Sequence, residues 1–456
     1  GNKQHLSTYD ETESPTINPI TVMSLLNIMT VLNMESAVYD IKGAFLSATI
    51  QPTDPTMYIM LTREVSQWWT HFYPDYNQYI HSNGCIYMRL NKYIYGLKQS
   101  ARKFHEHLVN IIKFHGYQQS IADECMFYKQ TDGYLTILAS HVDDTLVLAP
   151  SLHGIDSVHT LLAAYWELNT QDSENFSYIG MTIVRDRESR STIVSQQKFH
   201  ADIIEKYGAA QLSVRRTPMD SSYPSRTANN DAECNKHDYL SIIMSLMYLA
   251  RFTRPDILFA TTYLATRAEH PTMQDYHAAI NIVSYLATTG CYGLRFSGDN
   301  LFIQVYADAS HGLHLDGKGH SGIFITFGSA PIMARSTKQK TVALSSTEAE
   351  VNCVAEAVTY IIWLRVLLSE LQFEFVSPVP VYQDNQSSIM LYHGGGQFKR
   401  SKHILIKRSY IKDILQHGII DFRYLDGDRI PSDPLTKPAP GPQIVRMLDH
   451  IHIFKL

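Results

Sequence analysis

The stretch TILASHVDDTLVLAP, residues 136–150, places two adjacent aspartates, Asp143 and Asp144, between two apolar runs. Short apolar runs flanking a polar tip read as a β-hairpin. Neighbouring carboxylates repel, and burying them is unfavourable unless something positive lies between them. Aspartate is at home in a tight turn, so the pair has an ordinary reading as a hairpin tip. Its other reading is half of a metal site, and the rest of the chain decides between the two.

The chain has 456 residues, too many for one ordinary domain, so two or three are expected. Apolar residues make up 45%, enough for sizeable cores. A net charge of -5 carries no global sign of nucleic-acid binding, although a basic surface can be confined to one groove. The five cysteines are scattered without a Cys-x-x-Cys pair and read as reduced thiols, not zinc ligands or a disulfide frame. No signal peptide and no uninterrupted membrane-length apolar run are found, which points to a cytoplasmic or nuclear setting and no membrane partner.

Upstream of the hairpin, TVMSLLNIMTVLNM (21–34) has helical apolar spacing and leads into SAVYDIKGAFLSA. Downstream, SYIGMTIVRDRESRSTIVSQQ reads as a second hairpin turning at residues 185–190. The polar stretch 219–238 is the best linker candidate, and 239–288 reads as helix-rich. Strand signals return at LRFSGDNLFIQVYADAS. From there the order strand, strand, strand, helix, strand, helix suggests an α/β domain over about 296–440.

Two sets of carboxylates stand out. Asp40 ends the apolar stretch SAVYD. If its strand lies beside the hairpin, Asp40, Asp143 and Asp144 converge on one patch. Such a patch is tolerable with divalent cations between the side chains, and hard oxygen ligands suit Mg²⁺. Two such ions about 4 Å apart activate an attacking hydroxyl and stabilise a leaving phosphate oxygen. The second set is Asp308, Glu350, Asp384 and Asp433, each at the end of an element. Their ordinary readings are a turn residue, a helix-dipole partner near a start marked by Ser345 and Glu348, and two N-caps.

At this point the residues carry a family resemblance. DIKGAFLSA, YMRLNKYIYGLKQSARKFHEHL, HVDDTLVLA and TRPDILFA resemble the reverse transcriptase of Ty1/copia-type LTR retrotransposons. YADAS, STKQKTVALSSTEAE, VYQDNQSSI, KRSKHILIK and DPLTKP resemble the ribonuclease H domain that follows it. The ordered set covers nearly the whole chain. The resemblance implies an α/β and α+β multidomain protein. Residues 1–218 would form a polymerase palm with a remnant of fingers and the start of the thumb. Residues 219–295 would form a helical thumb and connection, and 296–445 a ribonuclease H-like α/β domain.

The resemblance also implies roles. Asp40, Asp143 and Asp144 would be catalytic metal ligands of the polymerase, and Asp308, Glu350, Asp384 and Asp433 those of the nuclease. Each site would take two Mg²⁺, with Mn²⁺ as a substitute. Phe45 would lie under the incoming sugar and exclude a 2′-hydroxyl by steric clash. Gly96, Lys98 and Gln99 would border nucleotide and template. His141 and Gly180 would lie near the primer end. In the basic run 397–408, Lys399, Arg400, Lys402, Lys407 and Arg408 would contact phosphates. The implied partners are an RNA template, a DNA primer and product, an RNA–DNA hybrid and dNTPs. A tRNA primer and a homodimer or virus-like particle also belong to that picture.

Two positions depart from the family pattern. His141 stands where an aromatic, most often Tyr, opens the polymerase motif, and Leu405 stands where His-Ile-Asp has its Asp. The resemblance begins just upstream of Asp40. Protease, integrase and zinc-knuckle motifs are not found. Either the chain is a cropped product of a longer polyprotein, or it is a truncated copy that retains only nuclease or nucleic-acid binding.

Overall fold

The computed structural model describes residues 4, 9, 12–208, 212–225, 231–298, 300–375, 377–394, 402–450 and 452–455. Helix α1 (Pro19–Val31) is the first regular element among the described residues. Pro19 occupies its first turn, where a missing N–H is harmless, and the Asn18 side chain accepts a hydrogen bond from Ile20 N–H. Every residue from Ile20 to Thr30 is buried. A helix apolar all round must be covered on all sides. Some of its polar side chains find partners inside: Thr21 Oγ1 donates to Asp123 at 2.6 Å, and Asn27 Nδ2 to the Phe327 carbonyl at 2.8 Å. Truncating a core side chain such as Leu25 to Ala would cost about 2–5 kcal/mol.

The first sheet is antiparallel and six-stranded. Along the chain it takes β1 (Glu35–Ile41), then, beyond the small two-stranded sheet of β2 (Tyr58–Leu61) and β3 (Ile86–Arg89), the strands β4 (Gln118–Gln119), β5 (Met126–Thr131), β6 (Tyr134–His141), β7 (Asp144–Ala149) and β8 (Leu168–Thr170). In space the order is β4-β5-β6-β7-β1-β8. The hairpin expected at 136–149 is β6–β7. Alternate residues leave a strand on opposite faces. Val38, Ile137, Ala139, Leu146 and Leu148 join the large apolar cluster that contains α1. Ala37, Tyr39, Leu138 and Val147 join a second cluster with α4 (Ser100–Phe114) and α5 (Leu152–Ala163). Between β1 and α4 lie the one-turn helix α2 (Ala44–Ser47) and helix α3 (Arg63–Phe72).

The second sheet has the order β18-β12-β11-β10-β9, all antiparallel. Its strands are β9 (Asn175–Tyr178), β10 (Met181–Asp186), β11 (Ser191–Ser195), β12 (Tyr292–Ser297) and β18 (Ile453–Lys455). The hairpin expected near 185–190 is β10–β11. Strand β12 is a difference from the sequence reading, which merged Leu294–Ser297 with the α/β domain. Both stretches alternate apolar residues, and only strand pairing separates them.

Four helices accompany this sheet: α6 (Gln197–Tyr207), α7 (Lys236–Phe252), α8 (Leu258–Ala265) and α9 (Met273–Thr289). The TRPD motif closes this region. Arg254 is fully buried and meets Asp256 at 2.7 Å; Tyr285 donates to the same carboxylate, and Arg254 also donates to the Gly290 carbonyl and Thr289. Its role is to join α7, α9 and the start of β12.

The third sheet has the order β15-β14-β13-β16-β17, from β13 (Ile303–Ser310), β14 (His320–Phe327), β15 (Ala330–Lys338), β16 (Val379–Gln383) and β17 (Ile420–Tyr424). The first three strands are antiparallel; β13, β16 and β17 are parallel. Parallel neighbours require crossovers. Helix α10 (Ser346–Glu370) supplies the first, and α11 (Gln386–Tyr392) with α12 (Lys402–Gln416) the second. Helix α13 (Gly441–His450) follows. This mixed sheet with its helices is the α/β domain read from the element order, completed by β17.

Helix α10 is long and apolar enough to cross a membrane, unlike any run identified in the sequence. Acidic residues and Arg365 interrupt its apolar run. Val351, Val354, Val358, Ile361 and Leu364 are buried in the protein core. It also ties the third sheet to the first: Glu370 accepts from Ser120 Oγ and Ile121 N–H, and Trp363 Nε1 donates to the Ala122 carbonyl.

Candidate active sites and family

Asp40 and Asp144 are directly opposed residues of antiparallel β1 and β7. Asp40 shares the face of Val38, and Asp144 that of Leu146, so both carboxylates leave the sheet on one side. Asp143 lies in the two-residue turn between β6 and β7, and its carbonyl accepts from Ile41 N–H at 2.9 Å. The turn is tight enough to hold Val142 at φ 57°, a left-handed conformation unfavourable for a β-branched residue. Burial, then Asp143 and Asp40, push the Asp144 carboxyl up to about 6. Asn169 on β8 donates to Asp40 Oδ2 at 3.0 Å.

Phe45 lies in the single turn α2, with its ring 4.5 Å from Tyr95 and 6.3 Å from Phe104. Burial raises the Tyr95 hydroxyl, and Asp143 and Asp40 raise it further. Tyr95 therefore links Phe45 to the carboxylates. It was missed as a site residue, although it stands inside the quoted run YIYGLKQ.

The second site lies at the carboxyl ends of parallel β13 and β16, where open α/β sheets place their ligands. Asp308 is on β13, and Asp384 follows β16 by one residue. Ser345 caps α10 by accepting from Glu348 N–H, which sets Glu350 in its second turn. Among the described residues, Asp308, Glu350 and Asp384 are the one group of three whose carboxylate oxygens lie within 4.8 Å of one another. The Asp40, Asp143 and Asp144 carboxylates do not form such a group, although Asp40 and Asp144 are register partners. Burial, then Asp433 and Asp384, push Asp308 up to about 7; burial, then Asp308 and Asp384, push Glu350 well above the carboxylate range. Gln383 donates to Glu350 at 3.1 Å.

Asp433 lines the same cleft. Lys437 pairs with it at 2.6 Å, and Gln443 donates to it. The N-cap readings of Asp384 and Asp433 do not hold. Asn385 caps α11, and Asp433 is the first residue of the 3₁₀ turn Asp433–Leu435.

The sequence matches the family model described as reverse transcriptase (RNA-dependent DNA polymerase) over residues 2–221. The retrovirus-related Pol polyprotein from transposon TNT 1-94 of Nicotiana tabacum is 28% identical over 445 residues, which cover 95% of this chain and 32% of that protein. The transposon Ty1-ER2 Gag-Pol polyprotein of Saccharomyces cerevisiae is 22% identical over 465 residues, covering 96% of this chain and 25% of that protein. The chain corresponds to the reverse transcriptase region of copia-type retrotransposon Pol polyproteins. It spans about a third or less of the length of these relatives. Among solved structures, the foamy viral protease–reverse transcriptase in complex with dsDNA is 14% identical with a TM-score of 0.45, covering 88% of this chain and 70% of that one.

The remaining expected site residues of this copia-type chain are placed as follows. Gly96 adopts φ 96° in the loop before α4. Lys98 Nζ meets Tyr9 Oη at 2.7 Å. Gln99 is buried, with Nε2 on the Met57 thioether at 3.1 Å. His141 ends β6 opposite Asp144; its Nδ1 is buried with no hydrogen-bond partner among the described residues. Gly180 has φ 64°, and a Cβ there would meet Tyr248 Oη at 2.1 Å. The close approach that Gly180 permits is therefore made by helix α7.

In the basic run, Lys407 donates to Asn352 and Arg408 to the Leu391 carbonyl, which ties both into the domain. Lys402 starts α12, while Lys399 and Arg400 lie outside the described residues. Asn169, Gln383, Thr436 and Lys437 complete the two sites. Gln383 lies within the quoted motif VYQDNQSSI and the last two within DPLTKP, so only Asn169 stands outside the quoted motifs.

Proposed function

We propose that this chain is an RNA-directed DNA polymerase with a ribonuclease H site, each centre working with divalent metal. The observation that carries the polymerase reading is the register pairing of Asp40 with Asp144 beside the Asp143 turn. The close-set trio of buried Asp308, buried Glu350 and half-buried Asp384 supports the nuclease reading. Its all-oxygen donors, close spacing and raised proton affinities fit a hard cation such as Mg²⁺. Bound divalent ions would supply an activated hydroxyl or water and shield the charge building on phosphate.

The chain's own residues do the rest. Asp40, Asp143 and Asp144 would hold the ions of the polymerase, and Asn169 orients Asp40. Phe45, backed by Tyr95, would set the floor of the sugar pocket and favour deoxynucleotides. Asp308, Glu350, Asp384 and Asp433 would hold the ions of the nuclease. The substrates of this reading are a primed RNA template with dNTPs, and an RNA–DNA hybrid.

Primer extension on poly(rA)/oligo(dT) and hybrid cleavage, both with Mg²⁺, test it. Asp143→Asn is expected to lower extension by more than about 100-fold, beyond what changes outside a ligand shell cause, and to leave cleavage intact. Absence of both activities in the parent protein would refute the proposal.

A further inference from the structure

Three of the four nuclease carboxylates are held by regular structure: Asp308 by a strand, Glu350 by a helix and Asp384 by the end of a strand. Asp433 is not. It opens a three-residue 3₁₀ turn, and a turn this short fixes little by its own hydrogen bonds. Lys437 and Gln443 meet its carboxylate, and side chains from β14 and β15 hold the turn itself. Ser336 Oγ donates to the Leu435 carbonyl at 2.7 Å, and His320 Nε2 lies 2.7 Å from the same Oγ. His314 Nε2 lies 3.0 Å from His320 Nδ1. All three residues are buried.

The polarity of this chain follows from donor counting. The Ser336 hydroxyl has one hydrogen, and Leu435 takes it. His320 Nε2 must then donate to Ser336, which leaves Nδ1 of a neutral ring as an acceptor. His314 Nε2 must donate to that Nδ1. Burial keeps both rings neutral by pushing His314 down to about 4 and His320 well below its usual range. Tyr263 on α8 stacks on His314 at 4.9 Å, closing the far end. Gly322, opposite Asp308 in the β13–β14 register, clears the space for the turn. A Cβ there would lie 2.6 Å from the Ser432 carbonyl and 2.7 Å from Thr436 Cγ2.

We infer that Ser336 and His320 are positioning residues for Asp433: they fix the Leu435 carbonyl and so hold the Asp433 carboxylate at the nuclease cleft. The inference rests on the ribonuclease H reading for its catalytic consequence, but not for its geometry. Groups one step outside a metal's ligands set ligand direction, and losing them lowers affinity or activity by about 10–100-fold.

The test uses the full chain. Ser336→Ala is expected to lower kcat for hybrid cleavage by about 10–100-fold, with hybrid KM and primer extension unchanged, and Ser336→Thr is expected to restore most of it. A second readout needs no catalysis: Mn²⁺ binding followed by electron paramagnetic resonance in a protein carrying Asp40→Asn, Asp143→Asn and Asp144→Asn. There Ser336→Ala is expected to weaken Mn²⁺ binding by about tenfold. Mn²⁺ bound by a parent that cuts no hybrid would sink the nuclease reading, while weaker binding by Ser336→Ala would still support the positioning role. Unchanged Mn²⁺ binding by Ser336→Ala, no Mn²⁺ binding by the parent, or a parallel fall of both activities with melting temperature would overturn the inference.

Discussion

Asp40 and Asp144 face each other across β1 and β7 as register partners on one side of the sheet. Like charges directly opposed on a sheet are destabilising. Here the opposition is sharpened by burial, which leaves the Asp144 carboxyl near 6. A fold selected for stability alone would relieve it with one substitution. The pairing makes sense as a cation site whose geometry is set by strand register, the least adjustable parameter a sheet has.

His141→Tyr should retain primer extension. The imidazole lies beside Asp144 in the register, and burial lowers its proton affinity against the pull of Asp143. A neutral ring at the hairpin end can be replaced by another ring. Loss of extension in a variant that still folds and cuts hybrid would count against this.

Phe45→Val should relax sugar selection. The Phe45 ring rests on Tyr95 and Phe104, so it has little freedom to swing aside for a 2′-hydroxyl. The ratio of rGTP to dGTP incorporation, measured as kcat/KM, should rise by about tenfold or more. An unchanged ratio would remove Phe45 from the sugar pocket.

Asp308→Asn should stabilise the metal-free protein as pH rises. The folded Asp308 carboxyl sits at about 7, against 3.8 for a free carboxylate. The folded state therefore keeps a proton that the unfolded state releases, and stability falls as pH climbs from about 4 to about 7. Each tenfold difference in that ionisation is worth about 1.4 kcal/mol. In EDTA, the melting temperature of the variant should exceed the parent's increasingly from about pH 5 to about pH 8. Saturating Mg²⁺ should reduce the gap by stabilising the parent. Parallel melting curves at every pH would contradict the account.

Arg254→Met should destabilise the helical region by about 3–5 kcal/mol, because it strands the Asp256 carboxylate in the core. Adding Asp256→Leu should recover part of the loss. Urea unfolding of both variants checks this, and a single variant within about 1 kcal/mol of the parent would contradict it.

The hairpin around Asp143 was legible because period-2 apolar runs and a polar tip are local signals. So was α10, whose start is marked by Ser345. The assignment of β12 was not legible, because alternation in Leu294–Ser297 does not state which sheet will accept it. Gly180 was read only as lying near the primer end, and the close approach it permits is to Tyr248 on α7, a contact remote in sequence. Asn169 sits in unremarkable sequence and reaches Asp40 only through strand register, and Gln383, although beside Asp384 in a quoted motif, reaches Glu350 only through the crossover. Local chemistry announces ligands; what orients them is decided by contacts remote in sequence.

Strands β12 and β18 lie side by side, and one leads into the third sheet while the other returns from it. Topologically, everything between them is an insertion into the second sheet. Its entrance and exit are anchored one strand spacing apart, about 4.8 Å. A unit hung from two adjacent anchors cannot pivot as one on a single tether can. Combined with the Glu370 and Trp363 bonds to the first sheet, this makes the distance between the two carboxylate centres a built-in ruler.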